Sequence, residues 1–284
     1  MVNDIHTLIK RHYDSKRLKF QPPFHCIKDD VIYSNFYNAY TLVQVPGERF
    51  FILTAKEVIP LIKDPFLLKE CKTFIAQEAE HAKIHHAYNH ALIHSHYARA
   101  QEIIDRWDDT FHLWTDPSLP LEKRLLFVVM AEIFTAHIAE DFFKRWHGQW
   151  DRLNQDIALL FSFHNVEEIE HKSLCFDLFT HLFGKAPNAA EYQPEWKQFK
   201  KAMIDHSIHT TTYFTACDAL LNHQPIPRQK TIQEYLTTSD GIFSNEDLYP
   251  DFQSSTFHPW NHDTRHWISI WEKEWLPRLQ QDNP

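Results

Sequence analysis

The chain has 284 residues, 43% of them hydrophobic and 24% charged, and a net charge of −9. That is enough for one large domain with an extension, and ordinary for a globular protein. An acidic balance with no basic run excludes a nucleic-acid surface built on phosphate contacts. Only four glycines, at 47, 148, 184 and 241, argue against hairpin-rich sheets and rule out any GxGxxG or GxxxxGKS/T phosphate loop.

The first 38 or so residues read as an irregular arm, broken at Gln21-Pro22-Pro23, that wraps the outside of the core. A helical pattern runs from about Ser34 to Ile62, interrupted or kinked at Pro46-Gly47. Asp64-Pro65 has the form of an N-cap followed by a first helical residue, and the helix it opens reaches about Ser95. A second run covers about Tyr97 to Trp114. After the break at Asp116 to Pro120, helices follow over about Leu121 to Trp146, Asp151 to Phe183 and Pro194 to Asn222. Two shorter ones, Thr231 to Thr238 and His266 to Leu276, close the chain, the last stopped by Pro277. The expectation is one domain over 1–284: an all-α, ferritin-like helical bundle with an N-terminal arm and extra C-terminal helices.

The four cysteines are dispersed and form no CxxC pair, which reads as reduced thiols. The N-terminus lacks the apolar core of a signal peptide. The most apolar stretch, Leu125 to Ile138, is too short for a bilayer and carries Glu132 and His137. A cytoplasmic protein with no transmembrane segment is therefore expected.

Histidine is abundant, at 21 residues beside 38 acidic ones, and its placement points to metal. Glu48 lies in the first helix, Glu78 and His81 in the second, Glu132 in the helix from Leu121, and Glu168 and His171 in the next. The order is Glu, Glu-x-x-His, Glu, Glu-x-x-His. Residues i and i+3 share a helix face, so each Glu-x-x-His can address one metal pair from one helix. Four carboxylates and two imidazoles from four helices are the donor set of carboxylate-bridged di-iron and di-manganese bundles. Hard oxygen plus imidazole suits iron or manganese better than calcium. Glu132 sits in an apolar run and Glu48 precedes one, and a buried carboxylate persists only when paired or metal-bound.

His164 shares a face with Glu168 and His171, and is either a third histidine ligand or an outer donor. Glu167 competes with Glu168 for the ligand position; Glu168 is favoured because Glu-x-x-His then matches Glu78 and His81. His85, one turn past His81, lines the same cavity or faces solvent. Asp205 is a candidate for a partner that orients a ligating imidazole, and His137, His206 and His209 are either further outer partners or plain core. The segment Phe257 to Asp263 closes over the site or anchors the C-terminal region.

The strings Pro46 to Phe51, Gln77 to His81, Glu167 to Lys172 and Phe257 to Trp260 resemble the bacterial family of predicted metal-dependent hydrolases, over roughly residues 20 to 270. The ligand layout also resembles ferritin-like di-iron oxygenases. The spacing of His164, Glu168 and His171 resembles that of the arylamine N-oxygenases, which carry a third histidine ligand. The layout leads to an expectation of two iron ions, or a Mn/Fe or other divalent pair, activating O2 on an apolar or aromatic small molecule. The alternatives are a di-metal hydrolase, which the family description implies, and a non-catalytic metal-binding protein. A homodimer is plausible from the exposed helix faces.

Overall fold

A computed structural model describes residues 7–11, 17–238, 241–244, 249 and 252–280. The helices are α1 (Val31–Val58), α2 (Pro65–Ile93), α3 (Ala100–Trp114), α4 (Leu121–Trp146), α5 (Gln155–His171), α6 (Leu174–Phe183), α7 (Gln193–Leu221), α8 (Gln229–Thr237), α9 (Arg265–Glu274) and α10 (Leu276–Gln280). Among the described residues the sole β feature is one antiparallel bridge between Ile27 and Leu153. The fold is an all-α helical bundle, and no described helix is long and apolar enough to cross a membrane. The cysteines are free, with Cys26, Cys71 and Cys175 buried.

Local chemistry sets several helix ends. The Asp30 side chain accepts from Tyr33 N at 3.0 Å and opens α1. Asp64 accepts from Phe66 N and Leu67 N at 2.7 and 3.1 Å and opens α2 with Pro65 in its first turn. Gly184 closes α6 at φ 68°, the left-handed region that costs glycine least.

The core quartet is α1, α2, α4 and α5. α1 packs along α2, α4 packs along α5, and α3 and α7 cover the outer side of α1. Every residue of α5 from Ile157 to His171 is buried. A helix enclosed on all sides is the centre of its bundle, and polar groups on it sit in a low-dielectric interior.

The structure departs from the sequence reading in three places. α1 runs unbroken through Pro46-Gly47. The expected helix from Asp151 to Phe183 is two helices that part at Lys172-Ser173. There the C-terminal segment intrudes. Lys172 Nζ donates to His262 O at 2.5 Å and Thr264 Oγ1 at 2.8 Å, and Trp260 Nε1 donates to Ser173 Oγ at 2.7 Å. Pro277 does not stop the last helix for good, because it falls in the first turn of α10, where proline is tolerated.

Candidate metal centre

The four helices of the quartet bring all seven expected ligands together. Glu48, Glu78, His81, Glu132 and His171 are fully buried, with His164 and Glu168 at 1% and 2% exposure. The Nδ1 atom of His171 lies 2.9 Å from Glu78 Oε1, 3.5 Å from Glu132 Oε2 and 3.8 Å from Glu168 Oε1. On the other side, His81 Nδ1 lies 3.7 Å from Glu78 Oε1 and 3.4 Å from Glu168 Oε1. His164 Nε2 is 3.4 Å from Glu168 Oε1, and its Nδ1 is 3.8 Å from Glu48 Oε1. Overlapping triads able to hold an ion follow, among them Glu48–Glu78–His81, Glu78–Glu168–His171 and His81–His164–Glu168.

The imidazoles are oriented from behind. His81 Nε2 donates to Glu167 Oε2 at 2.9 Å, and His171 Nε2 donates to Gln77 Oε1 at 3.1 Å. With one proton held at Nε2, the Nδ1 atom of each ring is turned toward the carboxylates. This is the usual way a protein fixes the tautomer of a ligating histidine. Glu167 therefore stands behind His81 and Glu168 beside the cluster, which resolves which of the two faces the site. Glu167 as an orienting carboxylate, Gln77, and the Thr135 hydroxyl bonded to Glu168 Oε2 were not singled out from sequence. Gln77 and Glu167 do stand one residue before the Glu-x-x-His glutamates, which was the available signal.

His85 is fully buried, so the solvent-facing alternative is wrong. Asn89 donates its amide to Thr41 O at 3.1 Å, which turns its oxygen toward the Thr41 hydroxyl at 3.0 Å. Thr41 then accepts from His85 Nδ1 at 2.7 Å, leaving His85 Nε2 to accept from His164 Nδ1 at 2.9 Å. The chain of donors leaves the Nε2 lone pair of His164 toward Glu168, where the Tyr40 hydroxyl, 3.0 Å away, also reaches it. Burial holds His85 and His164 well below the ordinary imidazole range, and neutral rings are what the relay needs.

Asp205 and His206 do not reach this centre. Both are on α7, outside the quartet. Asp205 pairs with Lys201, and His206 Nδ1 accepts from Trp107 Nε1 at 3.1 Å. Their spacing on a helix was legible, but not which side of α1 that helix covers. His137 donates to Ile242 O and His209 bonds the carbonyl of Asp205, both away from the cluster. Segment 257–263 serves as an anchor: besides its grip on Lys172 and Ser173, His258 bonds Asp177 at 3.0 Å and His262 bonds Glu140 at 2.8 Å.

The electrostatics show what the cluster lacks. Burial, then the neighbouring Glu78, hold the Glu48 carboxyl well above the usual range. Burial and Glu168 push Glu132 up to about 8. Burial pulls His81 and His171 down, but their carboxylate partners override it and hold both well above normal. The charged carboxylates are short of positive charge, and protons make up the deficit when nothing else does. Both oxygens of Glu48, Glu78 and Glu132, with Nδ1 of His81 and His171, have no hydrogen-bond partner. Although His171 Nδ1 is 2.9 Å from Glu78, the angle there makes no hydrogen bond. Buried polar atoms without partners cost about 1–3 kcal/mol each, more if charged, so a cluster of them pointing inward fits a group that supplies the missing bonds. Four carboxylates balance the charge of two divalent cations, and the donors are those iron and manganese prefer.

The family model described as predicted metal-dependent hydrolase matches residues 10–263. No curated protein and no solved structure matches the chain. The chain belongs to the predicted metal-dependent hydrolase family.

Proposed function

We propose that this member of the predicted metal-dependent hydrolase family is an enzyme that holds two divalent cations between Glu48, Glu78, His81, Glu132, His164, Glu168 and His171. The observation that carries the reading is that the partnerless buried atoms include both oxygens of Glu48, Glu78 and Glu132 and Nδ1 of His81 and His171, five of the six residues of the Glu, Glu-x-x-His, Glu, Glu-x-x-His pattern. We further propose iron as the metal and oxidation of an apolar small molecule by O2 as the reaction. When bound, such a pair would supply two electrons to O2.

The chain's own residues support this in three ways. Glu167 and Gln77 hold the Nε2 protons of His81 and His171, so both rings are set before the cations arrive. Tyr40 offers a hydroxyl proton beside His164. The surrounding apolar side chains, Phe74 against His171 and Phe163 against His81, exclude water and with it the side reactions that waste an oxidant.

A second reading, metal-assisted hydrolysis, is favoured by the family's description. A metal pair can also activate water and stabilise a developing oxyanion. The two are separated by loading the protein with ferrous iron under argon and admitting air. O2 uptake in proportion to iron, abolished in Glu132→Gln, supports oxidation. Turnover of p-nitrophenyl esters or phosphates under argon, with no O2 uptake in air, replaces oxidation by hydrolysis. Failure of the purified protein to retain any divalent ion overturns both.

A further inference from the structure

Glu167 and Gln77 orient His81 and His171, and both are themselves held by one residue of the N-terminal arm. Arg11 donates to Glu170 through both terminal nitrogens, Nη1 at 2.8 Å and Nη2 at 2.7 Å. Its Nη1 also stands 3.5 Å from Glu167 Oε1. The other oxygen of Glu167 accepts the Nε2 proton of His81. Gln77 forms a second branch. Its amide nitrogen donates to Ile9 O at 3.2 Å and to Glu170 Oε2 at 3.3 Å, and its oxygen accepts from His171 Nε2. A carbonyl, and a carboxylate paired with a guanidinium, only accept hydrogen bonds. The Gln77 amide therefore has one orientation that satisfies all three neighbours. Turned over, it would offer N–H to His171 Nε2 and drive that ring's proton to Nδ1, the atom that faces the cluster. The arm is seated by further contacts: Leu8 is buried with its N–H donating to Glu70 Oε2 at 2.6 Å, and Arg11 lies 5.3 Å over the ring of Trp271. The Arg11 side chain is 11% exposed, and those of Glu167 and Glu170 are fully enclosed.

We infer that Arg11 is a positioning residue for both histidines at once, and that residues 8–11 belong to the metal centre as the part that fixes where its imidazole protons sit. The inference rests on the reading of the core as a metal pair, and it adds to that reading what sets the two rings. A guanidinium keeps its charge and presents a rigid fork. Here the fork engages Glu170 while one of its nitrogens faces Glu167. Without it, Glu167 and Glu170 are two enclosed like charges one turn apart on α5, and such pairs repel. They turn apart, which takes the acceptor from His81. Ile9 is then no longer held against Gln77, and the amide is free to turn over behind His171.

The test uses the full-length protein, metal-free and cobalt-loaded. In metal-free protein with isotope-labelled histidine, NMR shows the Nε2–H signals of His81 and His171, assigned with His81→Asn and His171→Asn, protected from exchange with solvent. Arg11→Gln loses the protection of both. In cobalt-loaded protein, competition with a chelator shows the same variant binding each of two ions about tenfold to a hundredfold more weakly, the range for partners that orient ligands. Arg11→Lys, which keeps the charge without the fork, recovers part of both losses. Added to Glu167→Gln, Arg11→Gln costs less than it does alone, because the branch to His81 is already cut. Asp218→Ala, which strands the buried donors of His25, Asn35, His96 and Tyr97, controls for general loosening and keeps both signals and both ions. The inference is overturned if Arg11→Gln leaves the two signals protected or the cobalt affinity unchanged, if its loss and that of Glu167→Gln multiply in full, or if Asp218→Ala does the same damage. Arg11-dependent protection of both rings in a protein that takes up no cobalt would instead sink the metal reading and leave the positioning assignment standing.

Discussion

Asp218 and Glu132 are both carboxylates withdrawn from water, and both lie within reach of histidines, yet their surroundings are built on opposite terms. Asp218, on α7, accepts from Asn35 Nδ2 at 2.7 Å and His25 Nε2 at 2.9 Å through one oxygen, and from His96 Nε2 and Tyr97 OH at 2.8 Å through the other. Burial works to raise it, but these four donors hold it down at about 2. It joins the N-terminal arm, α1, the turn before α3 and α7. The oxygens of Glu132 receive no hydrogen bond, and the group stands at about 8. Asp218 is saturated by the protein, whereas Glu132 is left unsaturated among its neighbours, as the proposed role of holding a cation requires. Proximity of histidine to acid does not separate the two cases; the count of satisfied lone pairs does.

That contrast can be broken most forcefully by Glu132→Gln. Loss of one anionic donor should cut metal affinity by at least about a hundredfold while the apo protein melts no lower than wild type, since a strained carboxylate has been removed. Metal analysis after dialysis and a thermal melt check both halves. The mirror experiment is Asp218→Ala, which should retain full metal content and cost about 3 kcal/mol in urea unfolding, because it strands buried donors. Metal loss in the second variant, or its absence in the first, would erase the distinction. Glu167→Gln sharpens it: stoichiometry should stay at two ions with affinity lowered about tenfold to a hundredfold, the range for partners that orient ligands, read by competition with a chelator.

The smallest effect is on pH dependence. Glu132, Glu48, His81 and His171 all have folded-state values raised above their ordinary ones. A raised value means the folded state binds more protons than the unfolded chain, so stability falls as pH rises through the window. Above the ordinary histidine value of 6.5, the depressed His85 and His164 no longer oppose this. The metal-free melting temperature should therefore drop between pH 6.5 and about 8, the latter set by Glu132. The metal-loaded profile should lack that drop and climb slightly above about pH 7, where Lys172, depressed by burial to about 7, gives up its proton in the folded state first. A metal-free profile that rises would show that the carboxylates are not short of positive charge.

The clustering of the candidate residues was legible because helical spacing converts directly into shared faces: Glu78 with His81, and Glu168 with both His164 and His171. The helix start at Asp64-Pro65 was legible because capping is local chemistry, and that at Leu121 because Pro117 and Pro120 break the chain just before it. What lay between elements was not. The parting at Lys172-Ser173 is imposed by residues 260–264, about ninety positions away, and no periodicity carries that. Continuity through Pro46 is likewise decided by the packing of α1 against α2, α3 and α7. Asp205 and His206 had plausible chemistry on a helix whose position the sequence could not supply. The choice between Glu167 and Glu168 needed the partner helix, since both can face His171 from their own.

The last turn of α5 is gripped from both ends of the chain. Arg11 clasps Glu170 through two hydrogen bonds, at 2.8 and 2.7 Å, and lies 3.5 Å from Glu167, while Lys172 is tied down by His262 and Thr264. During synthesis the segment that carries Arg11 precedes this turn, whereas the segment that holds Lys172 follows it by about ninety residues. The turn that carries His171 thus waits for the stretch through Thr264 to be made before its second restraint can form.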